Sequence, residues 1–316
     1  MSYIILLIGF VFLIKGADFF VEGSSSIAKK FNIPSLIIGL TIVAFGTSAP
    51  EAAVSITAAI KGQNEMAIAN IVGSNIFNVL FVIGATAMIK PIHVKKSTIL
   101  KEFPFCILSS IVLAILAYDI RFQGYSENIL TRADGLIFLT LFIIFMYYLI
   151  DMAINSNDTT DEENYKIMPL PKSIILSILG LLGIIVGGNF VVNGASDIAM
   201  SWGMSENLVG LTIVAVGTSL PELVTSMTAA RKGESDIAIG NVVGSNIFNI
   251  LFILGISSCI SNIPVQIEAF TDMIIMIATT LIVYILAISK KKINRIEGVM
   301  VTLLYIAYLV FIIYRK

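Results

Sequence analysis

The sequence predicts an all-α membrane protein: ten transmembrane helices in two inverted five-helix repeats, with the N and C termini outside. Three observations carry this. The 316-residue chain is 57% hydrophobic and only 13% charged, where a soluble domain carries about 25% charged residues; its mean hydropathy is +0.94. Its apolar runs reach the roughly 20 residues that cross a bilayer. One segment also occurs twice. GLTIVAFGTSAPEAAVSITAAIKGQNEMAIANIVGSNIFNVLFVIG over 39–84 is matched without a gap by GLTIVAVGTSLPELVTSMTAARKGESDIAIGNVVGSNIFNILFILG over 210–255, with 30 of 46 positions identical.

The apolar spans run over about 3–27, 34–60, 65–88, 103–120, 133–152, 172–199, 205–230, 236–258, 268–288 and 297–314. The first is a helix and not a cleaved signal, because its KGADFFVEG stretch (15–23) has a counterpart, GGNFVVNG (187–194), in the sixth. Lys15 and Asp18 in that stretch read as charges that pair or snorkel. Fourteen of the twenty Lys and Arg residues follow the odd-numbered spans and five lie on the other side. The positive-inside rule then puts both termini outside and the 5–6 loop in the cytoplasm.

The chain divides into a first five-helix repeat (1–152, holding 39–84), a cytoplasmic linker (153–171) and a second five-helix repeat (172–316, holding 210–255). The acidic stretch NSNDTTDEE (155–163) lacks the glycine and ligand spacing of an EF-hand and reads as a solvated linker. Five spans separate each residue from its mate. An odd number means that the second copy enters the membrane from the opposite side, so the repeats are inverted and their polar segments meet near the midplane.

The chemistry lies in those segments. Pro50 lacks an N–H and clashes with the preceding turn, and Gly46 weakens the helix further, so a break is expected that frees carbonyls such as those of Ala44 and Phe45. Ala215, Gly217 and Pro221 repeat the pattern. Thr47 and Glu51 share one helix face, as do Thr218 and Glu222. In the third span Asn70, Ser74 and Asn78 line one face, matched by Asn241, Ser245 and Asn249 in the eighth. Ser48 and Ser219 stand beside the break as further candidates. Asn70 and Asn241 read as interhelical hydrogen bonders, and Asn75 and Asn246, off that face, as structural.

Two carboxylates with amide, hydroxyl and backbone oxygens make a hard donor set, which suits Ca²⁺ and Na⁺. Soft-metal chemistry is disfavoured: the motifs hold no cysteine, Cys106 and Cys259 have no CxxC spacing, and the one histidine, His93, lies in a loop. A charge at the bilayer centre costs at least about 2.5–3.5 kcal/mol on insertion scales. Glu51 and Glu222 have no basic residue in either repeat to offset that cost, so they need protons or cations. A loaded site that crosses and an empty one that does not make an obligatory exchange, and inverted halves that trade conformations favour a transporter over a channel.

The paired GTSxPE and GSNIFN segments resemble the repeats of the sodium/calcium exchangers, within the calcium/cation antiporter superfamily. The resemblance implies ten helices, with helices 2, 3, 7 and 8 forming the ion site and helices 1 and 6 a sliding gate. It implies Glu51 and Glu222 as central Ca²⁺ ligands shared with Na⁺, and oxygens of Thr47 and Thr218. It adds the backbone carbonyls of Ala44 and Ala215, Ser74 and Ser245 at flanking Na⁺ sites, and Asn78 and Asn249 in the middle. Relatives that depend on potassium usually carry an acidic residue at the place of Asn249, so an asparagine there favours potassium-independent exchange. Relatives that couple to protons typically carry an Asn-Ala-Thr-Glu motif where this chain has Thr-Ser-x-Pro-Glu. Proton/calcium and potassium-dependent sodium/calcium antiport are the nearest alternatives, a cation channel and an intramembrane enzyme more distant ones. The expected partners are Na⁺, Ca²⁺ and membrane lipid. No cofactor, nucleic acid or protein partner is implied, and the chain has no room for the large cytoplasmic domain of animal exchangers.

Overall fold

The computed structural model describes residues 2–62, 64–122, 124, 126–155, 168–203 and 215–315. Helices follow one another along nearly the whole of this chain: α1 (Ser2–Lys30), α2 (Ser35–Thr47), α3 (Ala49–Ile60), α4 (Met66–Ile89), α5 (Thr98–Leu116), α6 (Arg132–Asn155), α7 (Leu170–Ser201), α8 (Ala215–Thr218), α9 (Leu220–Lys232), α10 (Ser235–Ile260), α11 (Ile267–Lys290) and α12 (Arg295–Tyr314). Among the described residues, eight are long and apolar enough to cross a membrane, and α2 with α3 makes a ninth, broken span bent by 51°. The span expected at 205–230 is described from Ala215 onward, as α8 and α9. Its first part lies outside the described residues, as does most of the expected 153–171 linker.

Burial sorts the helices. α10 and α4, the carriers of the two GSNIFN segments, are the most enclosed spans, 94% and 72% buried over their most apolar stretches, whereas α6 is 17% buried. The duplicated segments therefore form the centre, and the outer helices present apolar faces such as Ile143, Ile144 and Ile285 outward.

Two short antiparallel strand pairs bind the repeats together at their ends. β1 (Ile92–His93) follows α4 and pairs with β4 (Lys292–Ile293), which precedes α12; β2 (Ile129–Leu130) precedes α6 and pairs with β3 (Ile263–Pro264), which follows α10. His93 is exposed in its strand. The cysteines are free, Cys106 buried and Cys259 half-buried. α9 ends at Gly233, whose φ of +89° gives the left-handed turn that closes a helix and suits glycine.

α1 and α7 are repeat mates and run antiparallel in close contact. Glycines seven residues apart make the approach possible: Gly9, Gly16 and Gly23 on one helix, Gly180, Gly187 and Gly194 on the other. A Cβ on Gly180 would stand 2.4 Å from the Phe20 backbone nitrogen, and one on Gly187 would stand 2.6 Å from that of Leu13. Such close backbones are characteristic of helix pairs that associate in lipid through small residues. On this pair, the Asp18 carboxylate meets Lys232 Nζ at 3.6 Å, the first of the two outcomes, pairing or snorkelling, expected of it, while Lys15 is exposed.

Candidate functional site

The break in the second span falls at Ser48, whose ψ of 7° leaves the helical range, and the repeat breaks at its mate Ser219 with ψ 5°. Pro50 and Pro221 then sit in the first turn of the new helix, where a missing N–H costs least. Glu51 and Glu222 thus stand in the first turns of α3 and α9, the end of a helix that favours negative charge.

One expectation about the break is not met. The carbonyl of Ala44 keeps a helical bond, accepting from the Ser48 N–H at 3.0 Å. The i−4 rule explains this: a proline at position 50 removes the donor for Gly46, not for Ala44 or Phe45. The second copy differs, for the Ser219 N–H donates to Val216 at 3.2 Å and passes over Ala215. The Thr47 hydroxyl also lies 3.4 Å from the Ala44 carbonyl.

Glu51 and Glu222 are both 0% exposed. Each is held by hydroxyls from both repeats. Ser219 Oγ donates to Glu51 Oε1 at 2.8 Å, and Ser48 Oγ to Glu222 Oε1 at 2.8 Å. Ser74 Oγ reaches Glu51 Oε1 at 3.5 Å and Ser245 Oγ reaches Glu222 Oε1 at 3.4 Å. The near-equal lengths express a two-fold relation between the halves. Ser48 and Ser219, which flank the break, make the shorter contacts across it.

The second oxygen of each carboxylate, Oε2, is buried and accepts from no described group; the same holds for Asn78 Oδ1 and Asn249 Oδ1. Four buried acceptors of negative character, two from each repeat, are therefore left without a described donor, in a molecule where buried polar groups are almost always paired. No cluster of three or more His, Cys, Asp or Glu occurs among the described residues. The donor set remains two carboxylates with neutral oxygens, the chemistry of Ca²⁺ and Na⁺. Both central helices widen into a π-type turn at these asparagines, Asn78–Val82 and Asn249–Leu254, a distortion frequent at functional sites.

The remaining candidates are placed as follows. Thr47 is buried and its Oγ1 donates to Asn241 Oδ1 at 2.9 Å, so its hydroxyl braces a neighbouring helix; Thr218 is also buried. Asn70 and Asn241 donate to Ser55 and Ser226 at 3.0 and 2.9 Å, the interhelical role expected of them. The reading of the motifs missed Ser55 and Ser226, although both lie four residues beyond a glutamate in each copy.

A family model described as sodium/calcium exchanger protein matches residues 1–150 and 172–314. The chain belongs to the sodium/calcium exchanger family. Among its relatives, CaxA of Alkalimonas amylolytica is 42% identical over 96% of each chain. The sodium/calcium exchanger MaX1 of Methanosarcina acetivorans is 33% identical over 99% of each. The solved structure of the sodium-calcium exchanger NCX_Mj matches with a TM-score of 0.84 at 32% identity, covering 98% of this chain and 97% of that one. This exchanger is a multi-pass integral membrane protein, as its apolar helices require.

Proposed function

We propose that this exchanger moves Ca²⁺ against Na⁺ across the membrane by alternating access, as a secondary active antiporter. The carrying observation is that four buried oxygens, Glu51 Oε2, Glu222 Oε2, Asn78 Oδ1 and Asn249 Oδ1, accept from no described group, while serine–glutamate bonds join the two halves that bear them. One Ca²⁺ neutralises the two carboxylates, and Na⁺ ions do the same with help from neutral oxygens. Glu51 and Glu222 are the shared ligands. Ser74, Ser245, Ser48, Ser219 and oxygens of Thr47, Thr218, Ala44 and Ala215 complete the flanking positions. Asn78 and Asn249 form a neutral pair, which favours exchange without K⁺. The transported ions are the ligands, and the proposal needs no cofactor and no protein partner.

The architecture is part of the proposal: ten helices in units 1–152 and 172–316, inverted, both termini outside and the linker cytoplasmic. The antiparallel packing of the mates α1 and α7 and the paired serine–glutamate bonds support it. α1 and α7, close-packed as one body, form the gate that slides past the central helices. In intact cells, with Cys259 replaced by serine, a cysteine placed between 156 and 167 is expected to react with a membrane-impermeant maleimide only after permeabilisation; reaction in sealed cells would reverse the orientation.

The function is tested by radiolabelled Ca²⁺ uptake into Na⁺-loaded proteoliposomes, with the external cation varied among Na⁺, K⁺ and choline and the pH gradient clamped. Uptake is expected with external choline or K⁺ alike and is suppressed by external Na⁺. Uptake is also expected to fall as pH falls, because protons compete for Glu51 and Glu222. Uptake that needs external K⁺, or that runs on a pH gradient without Na⁺, would assign the coupling otherwise.

A further inference from the structure

Asn75 and Asn246 lie one residue from the site serines but point away from the site face. Both are buried. Each reaches across the two-fold to the other: Asn75 Nδ2 donates to the backbone carbonyl of Asn246 at 3.2 Å, and Asn246 Nδ2 to that of Asn75 at 3.2 Å. A carbonyl oxygen only accepts, so the NH₂ end of each amide is fixed by its partner's backbone.

The consequence propagates. The Oδ1 of Asn75 must face the other way, where it accepts from Asn249 Nδ2 at 3.0 Å; the Oδ1 of Asn246 accepts from Asn78 Nδ2 at 3.1 Å. With their NH₂ groups so engaged, Asn249 and Asn78 turn their Oδ1 atoms to the opposite side. These are the two buried amide oxygens that accept from no described group. The flip state of each site amide is thus dictated by a main-chain carbonyl two hydrogen bonds away.

We infer that Asn75 and Asn246 are positioning residues for cation binding: they clamp Asn249 and Asn78 so that carbonyl oxygens, not NH₂ groups, face the ion. The inference rests on the reading of Asn78 and Asn249 as site residues. Without the clamp either amide turns over, and an NH₂ dipole of the wrong sign meets the cation. The arrangement parallels the outer-shell partners that orient metal ligands, whose loss typically costs about 10–100-fold in affinity.

A double-mutant cycle on the purified full-length exchanger tests this, reading equilibrium binding of ⁴⁵Ca²⁺ and the KM and kcat of proteoliposome uptake. Asn75→Ala is expected to raise Kd and KM about 10–100-fold with a much smaller change in kcat. In an Asn249→Asp background the ligand has no N–H and presents an oxygen in either orientation, so adding Asn75→Ala is expected to change Kd less than about threefold. An unchanged Kd in Asn75→Ala, or an equal loss in both backgrounds, would overturn the clamp and leave Asn75 a packing residue. Asn249→Ala separates the two claims: unaltered Ca²⁺ affinity there removes Asn249 from the site and the clamp with it. Should Asn75→Ala not fold, the mate cycle of Asn246→Ala with Asn78→Asp reads the same coupling in the other half.

Discussion

Glu51→Gln and Glu222→Gln are each expected to abolish Na⁺-driven Ca²⁺ uptake while leaving a folded protein that extracts and runs as a single species. Glutamine keeps the shape of the side chain and an oxygen to accept from Ser219 or Ser48, so the hydrogen bonds that hold the halves together survive. What changes is the second oxygen, now an NH₂ aimed where the cation sits. Losing one partner of a buried charge interaction costs about 2–5 kcal/mol, which is more than about 30-fold in affinity. Because the two-fold makes the residues equivalent in environment, the two variants should fail alike. Uptake at the unsubstituted rate in either one would sink the site assignment.

Gly180→Leu is expected to destabilise the exchanger by about 3 kcal/mol or more and to stop transport. The side chain would start 2.4 Å from the Phe20 backbone nitrogen and 2.7 Å from the Gly16 carbonyl oxygen. These are main-chain atoms that no rotamer change can move aside, and forced overpacking typically costs about 1–3 kcal/mol even where side chains can yield. α1 and α7 would have to separate along their length, and the gate proposed for them would lose its rigidity. Gly188→Ala on the same helix serves as the control, since its Cβ would meet only Pro221 at 3.6 Å, an ordinary contact. Thermal unfolding in detergent with uptake on the same samples checks both; an unshifted melting curve for Gly180→Leu would show that the helix contact tolerates separation.

Much of this is legible in the sequence. The duplicated motif points to the proposed site because a glutamate beside a proline in an apolar span has few structural uses, and the repeat supplies its partner. Proline also located the break, but not which carbonyl it would affect, since that depends on counting four residues back to Gly46. The role of Asn75 and Asn246 was hidden for a different reason. Helical periodicity shows that they leave the site face, but not that they meet each other across a symmetry axis. The seven-residue glycine spacing of α1 and α7 stands in the sequence, yet small residues at that interval carry no partner information until the antiparallel packing is seen. Ser48 and Ser219 were ambiguous because hydroxyls in membrane helices usually bond their own backbone; here each instead reaches a glutamate of the other repeat.

The central claim is that two halves make one divalent site. Equilibrium ⁴⁵Ca²⁺ binding to the purified exchanger, titrated against Na⁺, measures this directly. One Ca²⁺ per chain is expected, displaced competitively by Na⁺ and lost in Glu51→Gln and in Glu222→Gln alike. Two Ca²⁺ per chain, with one retained in each variant, would mean that the repeats bind independently and would contradict the shared site.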